Sequence, residues 1–501
     1  MYSETLKKFK EHLEKLSYYE HATSQLYWDM QTQMPEKGMD YKVDTIAFFS
    51  MESFKMQTSE EYGAMLETLS APEVFEQLDE AMKITVKRRK KSYDEDKKIP
   101  EDFYEKMVRE SALSEKAWEE AKEKSDYSIF CPHLQNVINN CKEMLSYTHP
   151  GEDPYEVLLD AHEEGMDSKT IDRIFDELKA GLVPLIQAIG QKPQPDQKPF
   201  QGEFDINKQK EFCEFLLEYI GFDMKAGAMG VSAHPFTMGF GPKDVRVTNH
   251  YRSNMPIDAM FSIIHEGGHG LFDQGVDEKY EKTEVANIGF MGLHESQSRF
   301  YENILGRNIN FWKPIYAKLQ ETLPQFEQIS LEQFEREINR VVPSFIRTEA
   351  DEVTYSLHII LRYEIEKAIF RDGLTAEQLP EIWNQKMVEM LGICPKNDAE
   401  GILQDTHWSG GMMGYFPSYA LGSIFDGMFL ETIQEQLGDL DTILAEGRIL
   451  EITAWLKENI HQHGSMYNSK QVVERLCGKE ISAQPLLKHF CEKYSRLYEL
   501  N

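Results

Sequence analysis

A chain of 501 residues with 54 Lys and Arg against 85 Asp and Glu carries a net charge of −31, which argues against nucleic acid and anionic membrane partners, since both reward a basic surface. Its hydrophobic content of 41% and charged content of 28% are ordinary for a soluble globular protein, and at this length a single core stops growing, so two lobes or one elongated helical body is expected. The start MYSETLKKFKEHLEKLSYYEH has no apolar signal segment, and Cys131, Cys141, Cys213, Cys394, Cys477 and Cys491 are scattered without C-x-x-C spacing; reduced thiols in the cytoplasm are the expectation.

Between Tyr2 and about Tyr27, the residues Leu6, Phe9, Leu13 and Leu16 recur at helical spacing, predicting an amphipathic helix that Met34 and Pro35 end. Glu60 to Leu182 reads as a long alternation of helices, with the charge run Lys87 to Lys97 as a solvated face. Gln191 to Gly202, QKPQPDQKPFQG, holds three prolines and no aliphatic residue and reads as a linker or exposed loop. It divides the chain into an N-terminal helical region (1–190), the linker (191–202) and a catalytic helical region (203–501). From Gly230 to Tyr251 the pattern changes, with Val245 and Val247 alternating with Arg246 and Thr248 as in a strand. The strand predicts a small sheet beside the helix that follows, its edge free to pair with an extended chain.

The chemistry concentrates in Ile257 to Gly275, IDAMFSIIHEGGHGLFDQG. Ile257, Met260, Phe261, Ile264 and Leu271 follow helical spacing, so His265 and His269, four apart, share a face and can take adjacent corners of a tetrahedral zinc site. Glu266 points beside that face, where a carboxylate reaches an attacking water without ligating; this is the H-E-x-x-H pattern. The bland alternative is a pair of ordinary histidines on a half-buried helix. Gly267 and Gly268 speak against it, because each costs about 1 kcal/mol mid-helix relative to alanine, and close approach of substrate or a neighbouring backbone would offset that. Catalytic zinc takes three protein ligands, and Asn287 to Leu305, NIGFMGLHESQSRFYENIL, is a second helical stretch able to return alongside the first. Glu295 is the expected third ligand, with His294 as the alternative or as a contact to substrate or to a ligand from behind.

Further along, Ile338 to Phe370 reads as largely helical and contains Arg347, followed by Glu349 and Asp351. Guanidinium holds a free carboxylate in a bidentate way; Arg347 is the first candidate for such a contact, Arg246 the second. The alternatives are internal ion pairs, Arg347 with Asp351 and Arg246 with Asp244. Gly401 to Gly422, GILQDTHWSGGMMGYFPSYALG, has the composition of a mobile active-site loop. A developing oxyanion needs donors besides the metal, and His407, Tyr415 and Tyr419 are the candidates. Asp405 is expected to orient a histidine, His269 or His407, and Asp351 and Gln297 to support their neighbours from behind. Trp408 reads as packing, and His461 and His463 as exposed.

HEGGH (His265 to His269), HESQ (His294 to Gln297), DVRVT (Asp244 to Thr248), IRTEAD (Ile346 to Asp351), GILQDTHW (Gly401 to Trp408) and HPF (His234 to Phe236) together resemble the motifs of the carboxypeptidase Taq family. The resemblance implies a metal-dependent carboxypeptidase, mainly α with a deep groove, usually a homodimer, with N-terminal helices walling one side of the groove and His234 on its wall near the substrate. The function expected is a zinc metallocarboxypeptidase releasing single residues from peptide C-termini with broad specificity, with cobalt or manganese as possible substitutes at a His₂Glu site. One rival is a zinc endo-oligopeptidase with a groove open at both ends. Another is a noncatalytic helical scaffold with a structural zinc, which would need a fourth protein ligand, commonly cysteine.

Overall fold

Phe9, Leu13, Leu16 and Trp28 are buried on one side of a first helix, Tyr2–Thr32, which ends just ahead of Pro35 as its spacing predicts. This helix belongs to a computed structural model that describes residues 2–287 and 289–500. The architecture is mainly α, with one three-stranded sheet. Phe9 and Leu13 form a small core with Tyr62, Leu66, Leu69, Met82 and Val86. The main core runs from Ala121 to Tyr498 and includes Phe200, inside the proline-rich segment 191–202. Among the described residues no helix is long and apolar enough to cross a membrane.

The sheet has the order β1 (Gly227–Val231), β3 (Val245–Asn249), β2 (Thr237–Gly239). β1 pairs parallel with β3, Ala228 opposite Arg246, and β2 pairs antiparallel, Thr237 opposite Val247. Val245 and Val247 are fully buried and Arg246 less so, but Thr248 and Asn249 are fully buried as well, so the alternation read from the sequence stops at Val247. β2 lies against the HExxH helix, Pro256–Gly275, through a bond from the Thr237 hydroxyl to Glu266. On the far side the Met291–Arg299 helix packs so closely that a Cβ at Gly268 would stand 2.6 Å from the Gln297 carbonyl oxygen. The glycine therefore serves the approach of a neighbouring backbone.

The stretch from Ile338 to Phe370 departs from the expected helix. Residues 341–354 are irregular apart from one turn at Arg347–Glu349, and the helix begins at Tyr355. Pro343 disfavours helical continuation, and the buried Asp351 carboxylate draws in the backbone N–H groups of Val342, Val353 and Thr354 at 3.1, 3.0 and 3.0 Å. Asp351 thus shapes the loop that carries Arg347 and makes no ion pair with it.

Candidate active site

Glu295, on the Met291–Arg299 helix, enters beside the two histidines of the HExxH helix. Its Oε2 is 3.6 Å from His269 Nε2 and 4.0 Å from His265 Nε2, and ligand atoms of the three residues all lie within 4.8 Å of one another. Such separations suit the ligands of a tetrahedral ion with bonds of roughly 2 Å, and two imidazoles with one carboxylate are a donor set for a divalent cation such as zinc.

Each of these atoms is aimed by a partner behind it. His265 Nδ1–H donates to Glu302 Oε2 at 2.9 Å, which leaves the Nε2 lone pair facing Glu295. His269 Nδ1–H donates to His294 Nδ1 at 2.5 Å, and His294 Nε2–H donates in turn to Asp273 Oδ1 at 3.1 Å. Arg299 Nε donates to Glu295 Oε1 at 2.7 Å, freeing Oε2, while its guanidinium lies 3.7 Å above the Tyr355 ring. Both nitrogens of His294 are therefore engaged, and it stands behind His269. Orienting partners of this kind contribute about 10–100-fold to metal affinity, so His294→Ala should weaken divalent-metal binding by about that factor; a competition titration against a chelator reads it, and an unchanged affinity would remove His294 from the orienting chain.

Electrostatics follow from this packing. Burial opposes the charged form of Glu295, but Arg299 and then the two histidines hold its carboxyl well below the usual carboxylate range. Burial pushes His269 down to about 4. Glu266 is 7% exposed, and its Oε2 accepts from the Thr237 hydroxyl at 2.7 Å. Burial raises its carboxyl pKa, with His265 and the Thr237 bond pulling partly back. A carboxylate with a raised pKa beside a polarised water is a better proton acceptor than one in bulk solvent.

Arg347, 7% exposed, donates from Nε to Asp405 Oδ1 at 3.0 Å and from Nη1 to the Tyr355 hydroxyl at 3.1 Å, with Nη2 2.9 Å from the same Asp405 oxygen. Asp405 Oδ2 also accepts from Arg362 Nε at 2.7 Å. Asp405 was expected to orient a histidine; it is instead clasped by two arginines, Arg362 and Arg347, which overcome burial to hold its carboxyl well below the usual range. His407 Nε2 and the Tyr419 hydroxyl are 3.1 Å apart, and the Tyr415 ring stacks on His407 at 5.7 Å. Burial pushes His407 down to about 4 and, together with nearby Glu295, pushes Tyr415 up to about 12. At neutral pH the imidazole is uncharged and the phenol keeps its proton; His407 Nε2 faces the Tyr419 hydroxyl, while its Nδ1 is buried without a partner.

Other expected residues lie further back. Arg246 makes the internal ion pair, with Nε 2.8 Å from Asp244 Oδ1 and Nη2 2.7 Å from Oδ2, and Nη1 donates to Gln25 on the first helix. His234 is exposed on the turn between β1 and β2. Gln297 is fully buried and bonds His461 at 2.8 Å, touching no ligand side chain. His461 itself is 1% exposed, contrary to the expectation of a solvent histidine, because its side chain packs against the bare Gly275 backbone. Trp408 is buried, and its indole N–H also donates to Glu366.

Asp273, Arg299 and Glu302 were missed, although they lie four residues past His269 and four and seven past Glu295 on the same helices, a spacing that places them near the ligand faces. Glu302 sits in a π-helical segment, Phe300–Leu305, that continues the Glu295 helix. Buried Glu163 accepts from the Gly292 backbone N–H and the Ser469 hydroxyl, anchoring the start of that helix; no local spacing signals it. A cleft of about 580 Å³ opens beside Asp273 and His294, lined also by Glu20 and His21 of the first helix and by Lys282.

Comparison with known proteins places the whole chain in a family. Carboxypeptidase 1 of Bacillus subtilis is 42% identical over 99% of both chains. A solved structure of Pyrococcus furiosus carboxypeptidase superposes with a TM-score of 0.93 at 34% identity, covering 98% of this chain and 99% of that one. The M32 carboxypeptidase from Deinococcus radiodurans gives 0.94 at 29% identity over 99% of each. The sequence profile of the carboxypeptidase Taq (M32) metallopeptidases matches residues 8–494, and the chain belongs to that family.

Proposed function

We propose that this metallocarboxypeptidase holds its divalent cation, zinc in the first instance with cobalt or manganese as substitutes, on His265, His269 and Glu295, and removes single residues of broad side-chain type from peptide C-termini. The convergence of those three side chains beside Glu266 is the observation that carries the reading. When bound, the cation supplies a Lewis acid for the water and the scissile carbonyl. Glu266 takes the proton of the attacking water and delivers it to the leaving amine. His407 and Tyr415, with Tyr419 bonded to His407, donate to the oxygen on which charge develops.

Arg347 anchors the terminal carboxylate. Its hydrogen bonds to Asp405 and Tyr355 use Nε and one Nη1 N–H, with Nη2 in ion-pair contact with Asp405, so of the five donors a guanidinium has each terminal nitrogen keeps at least one for the fork that grips a carboxylate. Arg246, committed to Asp244, is the weaker candidate. The edge strand β2 offers backbone groups to an extended peptide, with the N-terminal helices as the far wall and His234 at its rim. The reading is completed by a homodimer in the cytoplasm, in keeping with the family resemblance and with the scattered free cysteines.

Mass spectrometry of products from one unblocked peptide tests the register. Ladders of single C-terminal losses are expected, and the C-terminally amidated form should be cut far more slowly. Internal cuts, or equal rates on the two peptides, would favour an endo-oligopeptidase and remove the anchor.

A further inference from the structure

Glu366 lies on the Tyr355–Lys367 helix and is fully buried, yet no step above uses it. Its Oε1 accepts from Trp408 Nε1 at 2.7 Å, and its Oε2 accepts from the Gly414 N–H and the Tyr155 hydroxyl, both at 3.1 Å. Trp408 directly follows His407, and Gly414 directly precedes Tyr415. The intervening chain has no regular structure; its inner backbone–backbone bonds, such as Met412 N–H to His407 carbonyl at 2.9 Å, are local, and from outside the segment the His162 ring reaches the Met413 carbonyl at 3.2 Å. Gly414 presents its N–H with a φ of +81°, and a Cβ there would meet the Leu158 carbonyl oxygen at 2.6 Å, so glycine is required at the point of attachment.

We propose that Glu366 is the positioning residue of the donor loop: one carboxylate grips the chain on either side of residues 409–413 and so holds the His407 ring and the Tyr415 phenol in register with Glu295. The inference rests on the reading of His407 and Tyr415 as oxyanion donors. A buried carboxylate is costly unless its oxygens are satisfied, and two of its three donors come from this loop. Burial, working against those bonds and nearby Arg362, pushes its carboxyl up to about 7. An amide at the same place accepts through one oxygen only, and its nitrogen repels whichever of Trp408 or Gly414 it faces, releasing one end of the loop.

Glu366→Gln, Trp408→Phe, their double variant and Tyr155→Phe, each prepared as the full metal-loaded chain, test this through kcat, KM and thermal melting. Glu366→Gln and Trp408→Phe should each lower kcat about 10- to 100-fold, the effect of a displacement near 1 Å, with KM changing much less. The double variant should be no worse than the poorer single one, since both cut the same tie. Tyr155→Phe, which removes a donor outside the loop, should leave kcat within about twofold. Equal melting losses across all three single variants with kcat unchanged would reduce Glu366 to a packing residue and overturn the inference. His407→Ala and Tyr415→Phe separate the two claims. If they lower kcat and Glu366→Gln does not, positioning by Glu366 fails alone; if they retain kcat, the donor assignment fails and the inference falls with it.

Discussion

Replacing Glu266 with glutamine should lower kcat by about 10²–10⁴-fold, the range of a lost general base, while elemental analysis finds the metal still bound. The amide keeps an oxygen for the Thr237 hydroxyl, so the local packing survives, but it cannot take a proton from water. Stability should move the other way. A carboxyl whose folded pKa is raised by burial weakens the fold at any pH where the unfolded chain would ionise it, and the penalty is present above its ordinary pKa and disappears on acidification. The neutral amide removes it, so the metal-free variant should melt no lower than the parent at pH 7. Turnover retained near the parent rate, with metal content unchanged, would take the proton-transfer role away from Glu266.

Arg347→Ala should produce the second large effect. Two hydrogen bonds to a charged group are worth roughly 3 kcal/mol or more, so kcat/KM on free-acid peptides should fall about 100-fold or more, with KM bearing much of the change. Lysine at the same place should recover only part, because a point charge lacks the fork. The substitution also breaks a buried pair, which costs roughly 3–5 kcal/mol when the remaining charge is stranded. Asp405 keeps Arg362 at 2.7 Å, so the stability loss should fall below that range, and it should shrink on acidification, because the Asp405 carboxyl, moving back up toward its ordinary value, contributes less of the stability that falling pH removes. Peptide amides distinguish anchoring from simple destabilisation: they never used the fork, and their slow cleavage should be nearly unaffected. An equal loss on both substrate forms would assign Arg347 a structural role alone.

The metal centre was legible because it is built from helical periodicity. His265, Glu266 and His269 declare their faces within five residues, and Glu295 follows on a helix that returns alongside the first, its close approach allowed by Gly268. The same periodicity already contained Asp273, Arg299 and Glu302, so these were readable and overlooked. Arg362, Thr237, Glu163 and Glu366 were not readable, since each meets its partner across 29 to 211 positions of chain and no local pattern announces the meeting. The helix expected around Arg347 failed for a local reason: apolar residues at helical spacing were outweighed by Pro343 and by a buried aspartate that collects backbone N–H groups. Asp405 shows the opposite limit, where the residue was singled out but its partners were wrong, because two arginines from a distant segment outcompete a neighbouring imidazole.

The wide turn at Phe300–Leu305 carries a consequence for how such a centre changes over time. An α-helix rotates by about 100° per residue, so excising one amino acid from that turn would swing Glu302 out from behind His265 while leaving Glu295 in place upstream. The ion would keep its three ligands, but one imidazole would be free to spin, and affinity would fall without the loss of any coordinating atom. Length variation at this single bulge is therefore a means of loosening or tightening the grip on the ion that point substitutions at the ligands cannot imitate.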